Sequence, residues 1–407
     1  MGKRCLLLTN HFFPESFRCN DIASYLTGRG YSVTVLTAIP DYPEGHYHAG
    51  YSLFRRRIEI IDGAKVIRVP VIPRGDGRAL RMGLNYVSGI VSFFFYALYQ
   101  ALFRKYDCIF VHDTSPAFIA LPALLIKKIR KTPIDLWILD MWPQSLTAGG
   151  INSRTIFRII DRMMDVIYRN CSVIHISSLG FQKLLNERGV PDSKIKYLPN
   201  WSDDSITASN GGVEIPELPD GFRIMFAGNM GEAQNLENVL FAAERLKNEK
   251  NIHWIFVGDG RKKPWVENYV LSNGLSETVH LLGRFPISSM SSFFAQADVM
   301  LVSLQNRLVF ELTLPAKVQA YMSCGKPVLA MLCGEGQTIV SDADCGWCVR
   351  STDIDGMVKT VMEISSLPSD ELMRKGENAR RYYHSHFEKS LVLDRLCDDL
   401  KSVCGDV

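Results

Sequence analysis

Residues 3–38 read KRCLLLTNHFFPESFRCNDIASYLTGRGYSVTVLTA and decide the fold of the first half of the chain. The apolar run at 3–10 predicts a strand that ends in a turn, and the spacing of apolar residues over 19–30 predicts a helix. Gly28 and Gly30 end this helix, and the alternating, β-branched run at 31–38 predicts a second strand. A strand, a helix and a strand at this spacing make a parallel βαβ unit.

The same pattern continues to about residue 200 and then restarts. Four more strands are predicted in the first half, at AKVIRVP (64–70), DCIFVHD (107–113), IDLWILD (134–140) and CSVIHISS (171–178). Residues 203–220 are rich in Asp, Ser, Gly and Pro, which is typical of a linker. Strands follow at FRIMFAGN (222–229), IHWIFVGDG (252–260), TVHLLG (278–283), ADVMLVS (297–303) and KPVLAML (326–332), and residues 235–249 predict a helix.

We therefore predict an α/β protein of two Rossmann-like domains that face a cleft. The expected parts are an N-terminal domain (1–202), a linker (203–220), a C-terminal domain (221–385) and a final helix (386–407) that packs back toward the N-terminal domain. Open α/β sheets bind ligands beyond the carboxyl ends of their strands. Neither half carries G-x-G-x-x-G after its first strand or a P-loop motif, which argues against a dinucleotide oxidoreductase or a P-loop NTPase.

Composition indicates a globular chain with reduced thiols. Of its 407 residues 47% are hydrophobic and 22% charged, and ten cysteines are scattered through mostly apolar contexts. Cys345 and Cys348 form a C-x-x-C that lacks the second pair of a zinc site. Asp342 and Asp344 are interpreted as part of a turn. No metal or other cofactor is therefore expected.

Residues 82–103, MGLNYVSGIVSFFFYALYQALF, contain no charged side chain and are long enough to cross a bilayer. A crossing would separate the first βαβ unit from the strands with which it must pair. Between residues 51 and 105 ten basic residues outnumber three acidic ones, which favours an anionic surface, nucleic acid or acidic phospholipid. We predict a helix that lies on the membrane through Phe93, Phe94 and Phe95, flanked by Arg81 and Arg104; the alternative is a buried core helix.

Candidate site residues lie in the loops that follow the predicted strands. In the first half, residues 10–21 include Pro14, Glu15 and Arg18, His112 and Asp113 end an apolar run, and Asp140 ends the next. A lone histidine is more often structural than functional, but the predicted cleft gives His112 a possible contact with substrate. We expect Pro14, Glu15, Arg18 and Asp140 on the acceptor side.

In the second half the candidate residues suit an anion. The GNMGEAQN loop (228–235), with Gly228, Asn229, Gly231 and Gln234, joins a strand to a helix and offers backbone amides to a phosphate. Gly258 and Arg284 lie in the next two loops. Glu311 precedes a helix that begins near Pro315, and Glu335 and Gly336 lie in a later loop. A lysine in the first helical turn, Lys317, is unfavourable unless an anion such as a diphosphate binds beside it.

The chain resembles retaining glycosyltransferases of the GT-B fold, family 4. The motifs that carry the resemblance run in order along nearly the whole chain: HFFPES, RGYSVTVLTAIPDYPEG, DMWPQSL, YLPNWSD, GNMGEAQNLENVL, FVGDGRKK, LLGRF, LPAKVQAYMSCGKPV and GEGQTIV. The most similar branch adds N-acetylated amino sugars, notably N-acetyl-L-fucosamine, in bacterial O-antigen and capsule assembly.

The resemblance implies a hexosyltransferase-type enzyme with a UDP-sugar donor, held mainly by the second half, and no nucleic-acid partner. The acceptor would be a sugar on undecaprenyl diphosphate at the cytoplasmic face of the inner membrane. His112 matches a family histidine that contacts the donor sugar. Of two family glutamates only Glu311 matches, because the second position is Ala320; Gln319 or Glu335 would then contact the ribose. Lys317 is left as the cation for the diphosphate.

Two other classes remain open at this point. A non-hydrolysing UDP-sugar epimerase has a similar double-Rossmann build but needs no lipid acceptor, and the hydrophobic helix argues against it. A non-catalytic protein that binds a nucleotide sugar or a lipid is the third class, for which Ala320 would mark lost activity.

Overall fold

A computed structural model describes residues 2–76, 78–148, 153–207 and 214–404. The chain divides into two compact units, Met1–Leu198 with Leu393–Val407, and Pro199–Val392. The middle of the expected linker, residues 208–213, lies outside the described residues. We refer to the two parts as the N-terminal unit and the C-terminal unit.

The N-terminal unit is built on an eight-stranded sheet. Its strands are β1 (Arg4–Thr9), β2 (Ser32–Ala38), β3 (Ile58–Ile61), β4 (Ala64–Val69), β5 (Cys108–Asp113), β6 (Ile134–Ile138), β7 (Val173–Ile176) and β8 (Ile195–Tyr197). The order is β3-β4-β2-β1-β5-β6-β7-β8, and every pair is parallel except β3 with β4. The βαβ unit that residues 3–38 predict is confirmed, because β1 pairs with β2 in parallel.

Six helices of this unit connect its strands. They are α1 (Arg18–Gly28), α2 (Ala79–Phe103), α3 (Leu121–Arg130), α4 (Ser145–Ala148), α5 (Arg154–Asn170) and α6 (Gly180–Glu187). Apolar strands with both faces covered are typical of such sheets, and β5 and β6 are buried along their whole length.

The C-terminal unit repeats the plan with six parallel strands. These are β9 (Phe222–Ala227), β10 (Ile252–Val257), β11 (Val279–Gly283), β12 (Val299–Ser303), β13 (Val328–Met331) and β14 (Gly346–Val349), in the order β11-β10-β9-β12-β13-β14. Its helices are α7 (Asp204–Thr207), α8 (Leu236–Arg245), α9 (Lys263–Ser272), α10 (Met290–Gln296), α11 (Leu308–Glu311), α12 (Ala316–Ser323), α13 (Glu335–Asp342), α14 (Ile354–Ser365) and α15 (Ser369–His386). The prediction of two α/β halves with parallel sheets is thus confirmed.

The last helix, α16 (Lys389–Val403), starts in the C-terminal unit, and its residues from Leu393 onward belong to the N-terminal unit. There the Tyr25 hydroxyl donates a hydrogen bond to Asp394 Oδ1 at 2.9 Å, and Arg29 pairs with the same carboxylate.

Helix α2 is amphipathic, but its orientation is reversed: the polar stripe packs against the protein and the apolar face is exposed to solvent. Asn85 and Gln100 are buried, and the Asn85 amide donates to the carbonyl oxygen of Ile72 at 2.6 Å. The outward residues are apolar and exposed: Leu80, Leu84, Val87, Val91, Phe95, Leu98, Leu102 and Phe103. By length and composition α2 could cross a membrane. However, β4 before it and β5 after it lie in one sheet, so the helix lies along the domain.

The structure corrects one residue of the expected membrane-facing set. Phe93 is buried, with 4% of its surface exposed, whereas Phe95 is 69% exposed and Phe94 is intermediate. Successive residues on a helix point about 100° apart, so three phenylalanines in a row cannot share one face. Arg81 and Arg104, at the two ends of the helix, are both exposed.

Candidate functional site

His112 lies at the carboxyl end of β5 and is completely buried. The Thr9 hydroxyl donates to the carbonyl oxygen of His11 at 3.0 Å, so His112 Nδ1–H is the donor in the 3.1 Å contact with Thr9 Oγ1. Burial, with His11 and Arg18 nearby, lowers the pKa of His112 from 6.5 to about 3. Its Nε2 has no hydrogen-bond partner among the described residues, so a neutral ring offers a lone pair to an incoming hydroxyl.

Asp113, the next residue, is also enclosed. Burial, with Asp140 as a lesser cause, raises the pKa of the Asp113 carboxyl well above its usual range. The Asp140 carboxylate accepts a hydrogen bond from Ser115 Oγ at 2.7 Å, and Ser115 Oγ accepts one from Trp142 Nε1 at 3.1 Å. Burial therefore favours the neutral form of the Asp113 carboxyl, and the half-buried Asp140 is held by a serine of the loop after β5.

Glu15 differs from the expectation that it faces the acceptor. It is buried, and its Oε1 accepts the backbone N–H groups of Asp41 at 2.9 Å and Tyr42 at 2.7 Å. Its Oε2 accepts His11 Nδ1–H at 2.7 Å, and the other ring nitrogen of His11 accepts from Arg74 Nη2, also at 2.7 Å. The carboxylate joins the loops after β1 and β2, so its hydrogen bonds position these two loops. Pro14 and Arg18 in the same region are only half-buried.

Four glycines of the C-terminal unit pack closely in the loops after β9 and β10. A Cβ at Gly258 would lie 1.9 Å from the carbonyl oxygen of Gly228, and both residues have positive φ, 143° and 129°. A Cβ at Gly260 would lie 2.6 Å from Asn229 Oδ1, and one at Gly231 2.9 Å from Asn229 Nδ2. Only glycine permits such packing, and it leaves a loop of backbone and one exposed amide, Asn229.

Lys317 reaches this glycine loop from α12. The helix begins at Ala316 with Pro315 as its N-cap, as the sequence predicts for a lysine in the first turn. The Lys317 ammonium donates to Gln234 Oε1 at 2.6 Å and lies 3.6 Å from the centre of the Phe226 ring. Its Cε would lie 2.9 Å from a Cβ at Gly228.

Lys317 lies in surroundings that disfavour its charged form. Burial lowers its pKa from 10.5 to about 7. Among the described residues no carboxylate pairs with it, and Gln234 supplies only a neutral oxygen. A bound anion would stabilise the charged form of this lysine beside the free N–H groups of the first turn of α12.

Glu311 and the residues 334–336 also meet in this unit. Gly334, at φ 80°, packs so closely that a Cβ there would lie 2.0 Å from the carbonyl oxygen of Glu311. A Cβ at Gly336 would lie 3.0 Å from Pro315 Cδ. The half-buried Glu311 at the end of α11 and Glu335 at the start of α13, where the sequence predicts a loop, thus lie next to the start of α12.

Two expected donor contacts differ from the prediction. Gln319 is buried, and its amide donates to the carbonyl oxygen of Asn200 at 2.5 Å. The helical phase of α12 turns it away from the side that carries Lys317, whereas Glu335 lies in the first turn of α13. Arg284 is exposed and follows β11, the edge strand, whereas Gly228 follows β9, two strands further in.

Sequence reasoning missed residues that hold these groups in place. Tyr321 on α12 donates its hydroxyl to the carbonyl oxygen of Ala227 and accepts the Ala227 N–H, at 3.2 and 3.1 Å. Ser303 at the end of β12 donates to the carbonyl oxygen of Gln234 at 2.5 Å. Tyr321 comes four residues after Lys317, a spacing that puts both on one helical face and would have identified it.

The fold is that of a glycosyltransferase of the GT-B type. Residues 16–201 match the family described as "Glycosyl transferase 4-like domain", and residues 221–366 match "Glycosyl transferases group 1". The two matches together cover most of the chain, which therefore belongs to the glycosyltransferases built from these two domains. The expectation of the GT-B fold is confirmed; the N-acetyl-L-fucosamine branch is not resolved by these matches.

Two bacterial proteins are similar along most of their length. The "Putative colanic acid biosynthesis glycosyl transferase WcaI" of Escherichia coli is 25% identical over 403 residues, 94% of each chain. The "Probable glycosyltransferase WbjE" of Pseudomonas aeruginosa is 24% identical over 333 residues, 79% of this chain and 81% of that protein.

Solved structures show the same fold at lower identity. Sucrose-phosphate synthase of Thermosynechococcus elongatus matches with a TM-score of 0.73 at 14% identity, over 98% of this chain and 99% of that one. Anabaena HepE in complex with UDP matches with a TM-score of 0.67 at 14% identity, over 99% and 100%. WaaG, described as a glycosyltransferase involved in lipopolysaccharide biosynthesis, matches with a TM-score of 0.66 at 14% identity, over 98% and 99%.

Proposed function

We propose that this glycosyltransferase moves a sugar from a UDP-sugar to an acceptor sugar on undecaprenyl diphosphate, with retention, in O-antigen or capsule synthesis. The proposed donor sugar is an N-acetylated deoxyamino sugar such as N-acetyl-L-fucosamine. The reaction takes place at the cytoplasmic face of the bacterial inner membrane, where the enzyme is a peripheral protein. The names of the similar proteins WcaI and WaaG, which refer to colanic acid and lipopolysaccharide synthesis, support a role in cell-surface polysaccharide assembly.

The ammonium of Lys317, which pairs with no carboxylate among the described residues, is the observation that carries this proposal. It lies beside a loop made of glycine backbone and the first turn of α12, and a nucleoside diphosphate has the charge that this arrangement lacks. HepE, of the same fold, was solved with UDP and with UDP-glucose. On this proposal no metal is needed, because Lys317 and backbone N–H groups stabilise the diphosphate; transfer should then persist in excess chelator.

The proposed chemistry follows from where charge develops. The bond between the sugar C1 and the diphosphate oxygen breaks, and the acceptor hydroxyl attacks C1 from the same face. The hydroxyl proton passes to the departing diphosphate oxygen. Lys317 stabilises the charge that grows on the diphosphate, while the neutral Nε2 of His112 accepts a hydrogen bond from a donor-sugar hydroxyl and fixes its position.

A donor screen tests the activity. Purified enzyme receives membrane vesicles that contain the lipid-linked acceptor and one UDP-sugar at a time, and mass spectrometry reads the lipid and the free sugar nucleotide. We expect an added N-acetyl deoxyhexosamine on the lipid for one donor. A changed sugar nucleotide without any change in the lipid would indicate an epimerase, and binding without turnover would indicate a non-catalytic protein; either result overturns the proposal.

The outward apolar face of α2 supports membrane docking. Helices with an exposed apolar face and flanking cations lie at the headgroup boundary of anionic bilayers. Replacing Leu84, Val91 and Phe95 by Ser should release the protein from vesicles, measured by flotation, because each side chain loses its insertion into the bilayer.

A triple variant with the same chemistry serves as the control. Leu271, Ile287 and Met373 are exposed apolar residues of the C-terminal unit, and their replacement by Ser should leave flotation unchanged. Equal flotation of the α2 variant and the wild type would show that α2 does not hold the protein on the membrane.

A further inference from the structure

A second feature of the N-terminal unit is a groove beneath the carboxyl-terminal half of α2. The groove has a volume of about 960 Å³, at the upper end of ordinary ligand pockets. Its floor is the sheet face formed by Ile58, Ile67 and Thr34, and its wall is Phe95, Tyr99 and Phe103 of α2.

Apolar side chains of the floor and the wall are exposed to solvent, although Ile67 in the floor is buried. In the antiparallel pair β3–β4, Ile58 lies opposite Ile67, and in the parallel pair β2–β4, Thr34 lies beside Lys65. Ile58 is 64% exposed, and Phe103, on the facing helix, 66%. An open groove between an edge strand and an aromatic wall leaves apolar surface in water, which is costly unless something apolar covers it.

Cations surround one end of this groove. Lys65, Arg104 and Lys105 line it, and among the described residues none of the three forms an ion pair. Arg4 also lines it but is neutralised by Asp107, at 3.2 Å. Three unpaired cations beside an apolar channel match a molecule with one anionic end and one hydrocarbon end.

The position of the groove excludes the reacting end of the acceptor. Lys65 and Ser32 lie at the amino ends of β4 and β2, and Arg104 and Lys105 follow the last residue of α2. The site residues of this unit, such as His112, lie at the opposite edge of the sheet, where strands end. Helix α2 has 25 residues and is about 37 Å long, so its carboxyl end, beside the groove, lies far from its amino end.

We propose that this groove binds a single anionic phospholipid of the membrane on which the enzyme docks. The phosphate of the lipid binds Lys65, Arg104 and Lys105, and an acyl chain lies between the sheet face and the aromatic residues of α2. The charge complementarity selects anionic over zwitterionic headgroups, and the bound lipid holds the carboxyl-terminal end of α2 against the bilayer. This inference rests on the docking part of the proposed function and adds a discrete site to it.

The test uses full-length protein without any membrane. Short-chain phosphatidylglycerol is titrated below its micelle concentration, with phosphatidylcholine of the same chain length as the comparison, and binding is measured by microscale thermophoresis. We expect saturable one-to-one binding of phosphatidylglycerol, at least about tenfold tighter than phosphatidylcholine. Absence of saturable binding, or equal affinity for the two lipids, would overturn the proposal.

Two triple variants locate the site. Lys65→Gln, Arg104→Gln and Lys105→Gln together should weaken phosphatidylglycerol binding by about tenfold or more, since each cation near an anionic lipid contributes about fivefold. Lys128→Gln, Lys131→Gln and Lys183→Gln remove the same charge elsewhere on the surface of this unit and should change binding less than about twofold. Equal losses in both variants would mean general electrostatic attraction and would reject the groove. The six positions are exposed or half-buried, and circular dichroism confirms the fold of each variant.

A competitor and a vesicle experiment separate the remaining outcomes. Farnesyl diphosphate that binds more tightly than phosphatidylglycerol and displaces it would assign the groove to an isoprenoid chain instead. Vesicle flotation of the wild type without saturable lipid binding would sustain docking and reject the groove. Saturable lipid binding by a protein that does not float would sustain the groove and reject the docking proposal.

Discussion

The carboxyl ends of the two sheets carry ionisable groups whose burial has different consequences. In the N-terminal unit His112 is fully enclosed and its pKa falls to about 3, so the ring is neutral at pH 7. In the C-terminal unit Lys317 is only half-buried and its pKa falls to about 7, so the charged and neutral forms are nearly balanced. The first group is a fixed hydrogen-bond acceptor, and the second is a cation that a ligand can complete.

This difference predicts which of the two residues should bind a charged ligand group. A neutral donor-sugar hydroxyl gains from a permanent lone pair, whereas a diphosphate gains from a cation that was costly to bury before the ligand arrived. We therefore expect substitutions at Lys317 to affect both stability and binding, and substitutions at His112 to affect mainly turnover.

The largest effect is expected for Lys317→Met. It should lower kcat/KM by about 10²- to 10³-fold, because the developing charge on the diphosphate loses its cation. The same change should raise the thermal midpoint at pH 7, since a partly desolvated ammonium is replaced by an apolar side chain. Steady-state kinetics and thermal unfolding check both effects, with Lys359→Met as an exposed control. If the variant were more stable but kept a kcat/KM within a few-fold of the wild-type value, Lys317 would have no role in the reaction.

For His112→Gln we expect a loss of about 10- to 100-fold in kcat, because a desolvated hydrogen bond to the sugar is lost. The pKa of this histidine is lowered in the folded protein, so the unfolded chain binds more protons between pH 6.5 and about 3. Its contribution to stability is full above pH 6.5 and is lost as the pH falls through this range.

The variant should therefore show a shallower fall in the free energy of unfolding below pH 6.5, measured by urea denaturation at several pH values. The exposed His384→Gln provides the control. An unchanged kcat would show that His112 has only a structural role.

UDP binding should weaken as the pH rises above about 7. Lys317 loses its proton in the free protein there, whereas the diphosphate is already fully ionised, so the dissociation constant should rise by up to about tenfold per pH unit. Lys317→Arg keeps the charge and should remove this dependence. Calorimetric titration of both proteins with UDP at pH 6.5, 7.5 and 8.5 (about one unit apart) tests this dependence. A wild-type dissociation constant that does not change with pH would show that the diphosphate does not bind beside Lys317.

The smallest effect is expected for Asp113→Asn. Burial raises the pKa of Asp113 well above its usual range and so favours the neutral carboxyl, which asparagine replaces by another neutral group. The turnover rate should change by less than about threefold, and the free energy of unfolding by no more than about a few tenths of a kcal/mol. A loss of about 10²-fold or more would instead identify an ionised carboxylate that acts as a base.

Much of the fold was readable from local patterns. The strands at 4–9, 32–38, 222–227 and 252–257 were predicted because runs of apolar, β-branched residues end in glycine or polar turns. The strands β3, β8 and β14 were missed. Each has only three or four residues and much of each is incompletely buried, so it carries little hydrophobic signal, and long-range pairing stabilises it.

The candidate site was predicted in part. Lys317 could be singled out because a cation in a first helical turn conflicts with the helix dipole. Glu15 and Gln319 were assigned to ligands, yet both make hydrogen bonds within their own unit to groups 26 and 119 positions away in the sequence. Sequence spacing contains no information on such partners, and the same limitation hid His11, Arg74 and Tyr321.

The sequence by itself determined the repeated α/β plan, the glycine-rich anion loop and the apolar character of residues 82–103, since each depends on neighbours along the chain. Only the tertiary structure decided which face of α2 is exposed. The polar stripe of that helix is buried because Asp41 and the carbonyl oxygen of Ile72 bind Asn85, and this turns Phe93 inward and Phe95 outward. The direction of an amphipathic helix is set by the partners that satisfy its buried polar groups, and here those partners lie in the loops after β2 and β4, 44 and 13 positions before Asn85.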